Sequence, residues 1–277
     1  PLRRILLHPP FGDALTDEMD PNQLQLLAPV DTRRAAKQHT DMARAYAGAD
    51  VTVEWIDPLG TPVSFNLMFT ADLFFMTPEG AILARPASLV RAGEEREAAA
   101  CLARLGIPIL RSVSGGGTFE GADAMWLDPE TVLLGRGLRS NPEGIRQVSS
   151  VLAEMGVETI VVDLPHGTMH LMGMLRIVDR DLAVAWPKRL AHHAVEQLTR
   201  RGLKVAFIPD ETEAVAGAAL NFVTVAPRHI LMPAGNPLTQ EFYEFLGVTC
   251  QTVAVDEIVK AAGAVGCLTG VLERERV

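Results

Sequence analysis

Residues 72–84, DLFFMTPEGAILA, contain two short apolar runs joined by turn residues. Leu73 to Met76 is the first run, Thr77 to Gly80 supplies the turn, and Ala81 to Ala84 is the second run. Apolar runs on either side of a Pro/Gly turn are typical of a β-hairpin. A helical segment at Glu94 to Leu105 and one further apolar run follow. The stretch therefore predicts a ββαβ unit.

The same order of elements recurs along the chain. The residues that open successive units are Asp72, Asp123, His170, Asn221 and Cys267, at intervals of 51, 47, 51 and 46. The fifth unit is cut short at the C-terminus, and the N-terminal segment from Arg4 to Ile56 supplies its missing strand, helix and closing strand. Radial repetition brings equivalent strand starts together around one axis. We therefore predict five units closed into a ring.

A doubly wound open sheet is the alternative, because it also alternates strands and helices. That fold does not explain a hairpin in every unit, and no GxGxxG motif follows a strand. No Pro/Gly/Ser-rich linker divides the sequence, so a single α/β domain over residues 1–277 is expected. The loop from Gly12 to Leu27 is either a lid or a long connection.

Composition excludes several classes of protein. Apolar residues make up 48% of the 277 residues, which suits a large core. The net charge is 25 − 34 = −9 with no basic cluster, which disfavours nucleic-acid or membrane binding. Three cysteines without a CxxC pair favour a reducing cytoplasm over a disulfide framework. The first residues hold too short an apolar run for a signal peptide, and no stretch approaches a membrane span.

Two opening residues have nucleophile and acid–base chemistry. Cys267 lies among small residues in AVGCLTG, which leaves its sulfur approachable, although such a cysteine is also an ordinary core residue. His170, in TMHLMG, has a side chain suited to proton transfer near neutrality, although a histidine beside apolar residues is often only part of a core. Their coincidence with unit openings favours the functional interpretation of both.

Three acids also lie at unit openings. Glu120 and Asp123 follow a triple glycine in GGGTFEGAD, which indicates either exposed functional acids or a solvated turn. Asp72 stands among apolar residues, and burying an unpaired carboxylate costs several kcal/mol, so it needs a positive partner. No Lys or Arg lies within ten residues of it, which leaves a bound cation as a candidate.

Five motifs in this order resemble the guanidine-modifying (pentein) superfamily, which includes arginine deiminases, dimethylarginine dimethylaminohydrolases, short arginine dihydrolases and amidinotransferases. They are NLMFTAD at 66–72, FEGAD at 119–123, RSN at 139–141, MHL at 169–171 and KAAGAVGCLT at 260–269. The resemblance covers nearly the whole chain. It implies a five-bladed α/β propeller, in agreement with the predicted ring.

The resemblance also implies a reaction. Cys267 would attack the guanidinium carbon to form a covalent thiouronium, and His170 would protonate the leaving amine and then activate water. Glu120 would orient His170 and, with Asp72, bind guanidinium nitrogens. No metal or organic cofactor is implied.

The resemblance also implies further substrate contacts by family position. Arg91 and Arg139 are candidates for the substrate's carboxylate, because guanidinium groups bind carboxylates in a bidentate way. Asp123 and Asn66 complete the expected substrate-binding set.

Two positions depart from the related enzymes. Met172 stands where deiminases and dihydrolases have an Asp after His-Leu, and Asp72 stands where short dihydrolases have Asn. These departures favour hydrolysis of an N-methylated arginine to citrulline and an alkylamine. Amidino transfer to an amine, hydrolysis of free arginine, and a non-catalytic binder of guanidino ligands are the alternatives. The oligomeric state is left open, with a homodimer as one option.

Overall fold

The computed structural model describes residues 1–10, 26–60 and 64–275, and in these the strands form five three-stranded sheets. In each sheet the middle strand is antiparallel to its hairpin partner and parallel to the strand that follows the crossover helix. The strands are Leu2–Leu7 (β1), Thr52–Trp55 (β2), Phe74–Thr77 (β3), Gly80–Leu83 (β4), Ile109–Ser112 (β5), Ala124–Asp128 (β6), Thr131–Arg136 (β7), Glu158–Asp163 (β8), Leu175–Asp179 (β9), Leu182–Ala185 (β10), Lys204–Phe207 (β11), Val223–Ala226 (β12), His229–Pro233 (β13), Thr249–Val253 (β14) and Gly270–Arg274 (β15). This arrangement confirms the predicted five-bladed α/β propeller.

The two ends of the described chain share one blade. β1 pairs antiparallel with β15, with Ile5 opposite Val271, and parallel with β2, with Ile5 opposite Val53. The sheet order β15-β1-β2 therefore repeats the order of the other four blades. The prediction that the N-terminal segment completes the fifth unit is confirmed.

Each blade has one crossover helix. In chain order the helices are Thr32–Gly48 (α1), Glu94–Arg104 (α2), Pro142–Glu154 (α3), His192–Arg200 (α4), Glu211–Ala216 (α5), Pro237–Phe245 (α6) and Asp256–Val259 (α7). The crossover helices are α1, α2, α3, α4 and α6, whereas α5 and α7 connect one blade to the next. The two short helices α5 and α7 were not expected from the sequence. As predicted, α3 begins after Asn141, whose side chain accepts a hydrogen bond from the Gly144 amide at 2.8 Å, with Pro142 in the first turn.

The residues that open the units lie in tight turns ahead of the strands. Asp72 and Asp123 each end a single 3₁₀ turn, and His170 immediately precedes one. After His170, the Gly173 amide donates back to the His170 carbonyl at 3.2 Å, so the strand of the third unit begins only at Leu175. These turns place polar side chains at one end of the ring.

One glycine explains how closely these turns pack. A Cβ at Gly121 would lie 2.1 Å from the Phe74 carbonyl oxygen and 2.6 Å from that of Ala71. Any side chain at this position would therefore force apart the turn of the second unit and the start of the first blade. Gly121 sets the spacing between Asp72 and Glu120.

Several expectations lie outside what this structure tests. Most of the candidate lid, residues 12–25 of the loop Gly12 to Leu27, falls outside the described residues. Within the described part of the chain, no helix is long and apolar enough to cross a membrane. The single domain over residues 1–277 and the homodimer stay predictions.

His39 on α1 makes the stability of the fold sensitive to acid. Its side chain is 2% exposed, and its Nε2 has no hydrogen-bond partner in the described residues. Burial, and then the charge of nearby His8, lower the pKa of His39 to about 4. Below its ordinary pKa, the unfolded chain binds a proton that the folded chain excludes, so the free energy of unfolding falls as the pH drops from 6.5 towards 4.

We expect His39→Phe to reduce the loss of unfolding free energy between pH 7 and pH 5 by about 2 kcal/mol, measured by urea denaturation. His193→Phe, which changes an exposed histidine on α4, should lose as much stability as the wild type. Equal losses in the His39→Phe variant and the wild type would contradict this role for His39.

Candidate active site

Glu120 and His170 form a buried pair across two neighbouring opening turns. His170 Nε2 lies 2.6 Å from Glu120 Oε2, and the two residues are 5% and 0% exposed. Burial raises the pKa of Glu120, but the hydrogen bond and charge of His170 outweigh it and bring the pKa below its usual range. Burial lowers the pKa of His170, but the charge of Asp72, followed by the Glu120 hydrogen bond, outweighs it and raises the pKa to about 9. The pair is therefore a carboxylate and an imidazolium at neutral pH.

Asp72 lies beside this pair with one oxygen occupied and one free. Its Oδ2 accepts a hydrogen bond from Arg91 Nη1 at 2.5 Å. Its Oδ1 is buried without a hydrogen-bond partner in the described residues, 3.8 Å from His170 Nε2. The positive partner that the sequence required is thus Arg91, nineteen residues along the chain. The free Oδ1 still lacks a donor, which a buried carboxylate oxygen ordinarily has.

Arg91 is itself enclosed by acids. Its guanidinium is ion-paired to Asp72 and to Glu94 at 2.8 Å, lies 3.9 Å from Glu120, and the residue is 3% exposed. The expectation that Arg91 offers a free guanidinium to the substrate's carboxylate therefore disagrees with this arrangement. Arg139, by contrast, has a side chain 15% exposed at the rim, with Nη1 3.3 Å from Glu120 Oε1.

Cys267 is held by Asn221. The Asn221 amide donates to Cys267 Sγ at 2.9 Å, and its Oδ1 accepts from the Cys267 amide at 3.1 Å. The Cys267 carbonyl accepts from the Ala71 amide at 3.2 Å, which ties this turn to that of Asp72. Cys267 is 9% exposed. Burial, and then the charge of Asp72, raise the pKa of the thiol, against the opposing effect of the Asn221 hydrogen bond.

Sequence analysis gave Asn221 no role in the site. Its place as the opening residue of the fourth unit, 46 residues before Cys267, was the pattern that could have identified it. The periodicity located it, but a neutral amide suggested no chemistry by itself.

Asp123 and Asn66 lie behind the site. Asp123 is fully buried, and its two oxygens accept hydrogen bonds from the Ser140 hydroxyl at 2.6 Å and the Leu171 amide at 2.9 Å. Burial raises its pKa to about 6. Asn66 contributes its backbone carbonyl, 3.5 Å from Arg91 Nη2. The expectation that these two bind substrate is not supported by this geometry, because Asp123 has no accessible oxygen and Asn66 contacts Arg91 through its backbone.

Asp72, Glu120 and His170 could in principle meet around a metal ion, because one ligand atom of each lies within 4.8 Å of the others. The Arg91 guanidinium already places a positive charge against two of the three. His170 also carries a proton at neutral pH, which removes its lone pair. This donor set suits an organic cation with N–H donors better than a metal ion. The absence of a metal or cofactor stays a prediction.

A cavity of about 910 Å³ occupies the opposite end of the ring. The hairpin turns of the blades line its mouth, and Ala71, Gly121, Met172 and Gly266 lie at its inner end. Cys267, His170, Asp72, Glu120 and Asp123 are all absent from its lining. We place the candidate active site at the opening turns, because Cys267, the predicted nucleophile, and the buried Glu120–His170 pair lie there.

Comparison with known proteins identifies the family. The family model described as arginine deiminase matches residues 24–206. The chain belongs to the arginine deiminase family.

Relatives within this family cover most of the chain. It is 28% identical to the N(G),N(G)-dimethylarginine dimethylaminohydrolase of Pseudomonas aeruginosa, over 88% of this chain and 90% of that protein. A solved structure of a Cys-to-Ser mutant of that Pseudomonas enzyme, complexed with citrulline, is 25% identical, with a TM-score of 0.81 over 98% of this chain and 99% of the other. A dimethylarginine dimethylaminohydrolase adduct with S-methyl-L-thiocitrulline is equally similar at 25% identity, a TM-score of 0.81, and coverage of 98% and 100%.

These relatives confirm two expectations from the sequence. The chain resembles the guanidine-modifying superfamily as predicted, and its enzyme class is that of hydrolases acting on carbon–nitrogen bonds in linear amidines. The roles of individual site residues in this chain stay predictions.

The His170 imidazole should titrate far above an ordinary histidine. We expect its C2 proton to report a pKa of about 9 by NMR, with His170→Gln providing the assignment. Glu120→Gln should lower that pKa, because the variant removes the carboxylate that bonds to Nε2. Glu143→Gln, at an acid on α3 whose side chain is 41% exposed, should leave it unchanged. A His170 resonance that titrates near 6.5 in the wild type would contradict this assignment.

Proposed function

We propose that the protein hydrolyses the guanidinium group of an N-methylated arginine to give citrulline and an alkylamine. The observation that carries this proposal is the free Oδ1 of Asp72, a buried acceptor beside an imidazolium and a second carboxylate. A guanidinium supplies both the N–H donors and the positive charge that this oxygen lacks. The dimethylarginine dimethylaminohydrolases similar to this chain support the same substrate class.

In the first step, the Cys267 thiolate forms a bond to the guanidinium carbon. Asp72 accepts N–H hydrogen bonds from the guanidinium through its free Oδ1. Glu120 orients His170, because its two oxygens are occupied by His170, Arg139 and the Ala87 amide. His170 donates its proton to the alkylamine nitrogen as the carbon–nitrogen bond breaks, which leaves a thiouronium on the sulfur. The pKa of about 9 keeps His170 protonated for this step at neutral pH.

In the second step, neutral His170 takes a proton from water, and the hydroxide attacks the same carbon. As the carbon–sulfur bond breaks, the sulfur takes up the hydroxyl proton of the tetrahedral intermediate. Citrulline leaves, and the enzyme returns with Cys267 as the thiol and His170 as the imidazolium. The resting thiol has a raised pKa because of burial and Asp72. A bound guanidinium would neutralise Asp72 and so favour the thiolate when substrate is present.

Met172 supports a methylated substrate. By the resemblance, it stands where deiminases and dihydrolases have an Asp that binds the guanidinium, so this chain offers no charge there to an unsubstituted nitrogen. An apolar substituent on that nitrogen needs no hydrogen-bond acceptor. The absence of that acid therefore favours a methylated guanidine over free arginine.

An assay with dimethylarginine, monomethylarginine and arginine should yield citrulline fastest from a methylated substrate. Cys267→Ser should lower kcat by at least about 10³-fold, because a hydroxyl is a much weaker nucleophile at neutral pH. Cys250→Ser, at a half-buried cysteine outside the site, should retain wild-type turnover.

Each competing function has its own outcome in that assay. Ammonia from arginine at a higher kcat/KM than amine from methylarginine would establish a deiminase or dihydrolase instead. Transfer of the amidino group to added glycine would establish an amidinotransferase. If the folded protein binds dimethylarginine but forms no product, it is a non-catalytic protein that binds guanidino ligands.

Arg139 is the proposed ligand for the substrate's carboxylate, because it reaches the rim of the site and is partly exposed. Arg139→Gln should raise KM for dimethylarginine by about tenfold or more while changing kcat less, since a charged hydrogen bond contributes about 1.5–3 kcal/mol. Arg136→Gln is the matched control, because Arg136 is exposed and paired with Asp163. Equal KM values in the two variants would contradict this role.

A further inference from the structure

Arg176 on β9 lines the cavity at the opposite end of the ring and lies near the segments that hold Cys267. Its Nε donates to the Leu220 carbonyl at 3.2 Å, and its Nη2 donates to the Phe222 carbonyl. These two carbonyls flank Asn221, whose side chain bonds both the sulfur and the amide of Cys267. Through these two carbonyls, the Arg176 guanidinium fixes the segment whose Asn221 side chain bonds to Cys267.

Gly266, the residue before Cys267, allows the Arg176 guanidinium to lie close to the Cys267 turn. A Cβ at Gly266 would lie 2.1 Å from Arg176 Nη2 and 2.9 Å from Asn221 Oδ1. The Gly266 amide also donates to the Asn221 carbonyl at 3.1 Å. Only a residue without a side chain allows the guanidinium, Asn221 and the Cys267 turn to meet at this point.

Arg176 carries a positive charge with no acidic partner. It forms no ion pair with a carboxylate in the described residues and is held by carbonyls and by the Phe222 ring, 5.5 Å from its guanidinium carbon. Burial lowers its pKa to about 10, against the opposing effect of Cys267, so it stays charged at neutral pH. The other titratable groups that act on it are Tyr46 on α1, Tyr243 on α6 and Arg274 on β15.

The groups that act on Cys267 come from four segments. Asp72 raises the pKa of the thiol, whereas the Asn221 amide, a backbone hydrogen bond at Ala264 and the charge of Arg176 lower it. Asp72 faces the substrate side, and Arg176 lies on the cavity side. Arg176 is the only full positive charge among these groups in the described part of the chain.

We propose that Arg176 is a positioning residue for the nucleophile: it fixes Asn221 against Cys267 and supplies a positive charge that favours the thiolate. This inference rests on the proposed function, because it concerns the same sulfur. A guanidinium in this place acts in every state of the enzyme, whereas the substrate's guanidinium acts only when bound.

The test measures the thiol directly and needs no substrate. In a Cys101→Ser, Cys250→Ser background, Cys267 is the only cysteine, and its rate of alkylation by iodoacetamide against pH reports the thiolate fraction. Arg176→Gln should raise the apparent pKa of the thiol and slow alkylation at pH 7.5 by about three- to tenfold. Arg176→Lys should recover part of the rate, because it restores the charge but not both hydrogen bonds.

Arg274→Gln is the matched control. Arg274 also lines the cavity and donates to a carbonyl, that of Thr224 at 2.7 Å, but it does not contact the Asn221 segment. Its alkylation profile should match the wild type. A change of equal size in this variant would show that any cavity arginine has the effect, which would overturn the proposal.

A folded Arg176→Gln variant with a wild-type profile would also overturn the inference. If that variant does not fold, Gly266→Ala decides, because the added methyl group displaces the guanidinium and should slow alkylation in the same direction. An unchanged profile in folded Gly266→Ala would then refute the role of Arg176. Failure of the proposed function is distinguishable: it would appear as no turnover of any guanidino compound, while the alkylation shift would remain.

Discussion

Three carboxylates, one guanidinium and one imidazole share a region from which water is nearly excluded, and the rest of the site depends on how their charges balance. Asp72, Glu94 and Glu120 are each 3% exposed or less, and they surround Arg91 and His170. Burial of carboxylates is costly unless each charge is paired and hydrogen-bonded. Arg91 and the raised pKa of His170 supply that compensation. The same pairing leaves one oxygen of Asp72 without a donor.

The propeller is the reason that these groups can meet. Each blade begins with a tight turn, and five such turns lie around one end of the axis, so residues about 50 positions apart become neighbours. Close packing between turns fixes their spacing, as at Gly121 and Gly266, where a side chain would collide with neighbouring backbone or side-chain atoms. The spacing of the turns therefore depends on close contacts at these glycines, with backbone carbonyls at Gly121 and with the Arg176 and Asn221 side chains at Gly266.

The sequence predicted the ring and the residues that share its period. Cys267, His170 and Asp72 were located because unit openings recur at nearly equal intervals and because ionisable side chains stand there, and Glu120 lies three residues before the opening residue Asp123. Asn221 also opens a unit, but its neutral amide side chain did not indicate a catalytic or binding role. Its contact with the sulfur became evident only from the positions of the two side chains.

Arg91 and Asp123 show the limit of sequence reasoning in physical terms. Asp123 stands in a matching motif and Arg91 at a matching family position, and both were expected to face the substrate. Whether a side chain faces a ligand or its own protein depends on which partners the fold brings near. Here Arg91 pairs with Glu94 and Asp72, while Asp123 accepts from Ser140 and the Leu171 amide. Glu94 lies only three residues after Arg91, but the other partners lie 17 to 48 residues away in the sequence, so no local pattern predicts those contacts.

The charge balance also bears on when the nucleophile forms. Asp72, Glu94, Glu120 and Asp123 contribute four negative charges, and Arg91, Arg139 and protonated His170 contribute three positive ones, which leaves one negative charge before the thiol ionises. A thiolate would add a second, and burial with the charge of Asp72 accordingly raises the pKa of Cys267. A monocation bound at Asp72 removes that penalty, while Arg176 on the other side of the sulfur reduces it permanently. Under the proposed mechanism, the Cys267 thiolate is therefore favoured most when a guanidinium is bound.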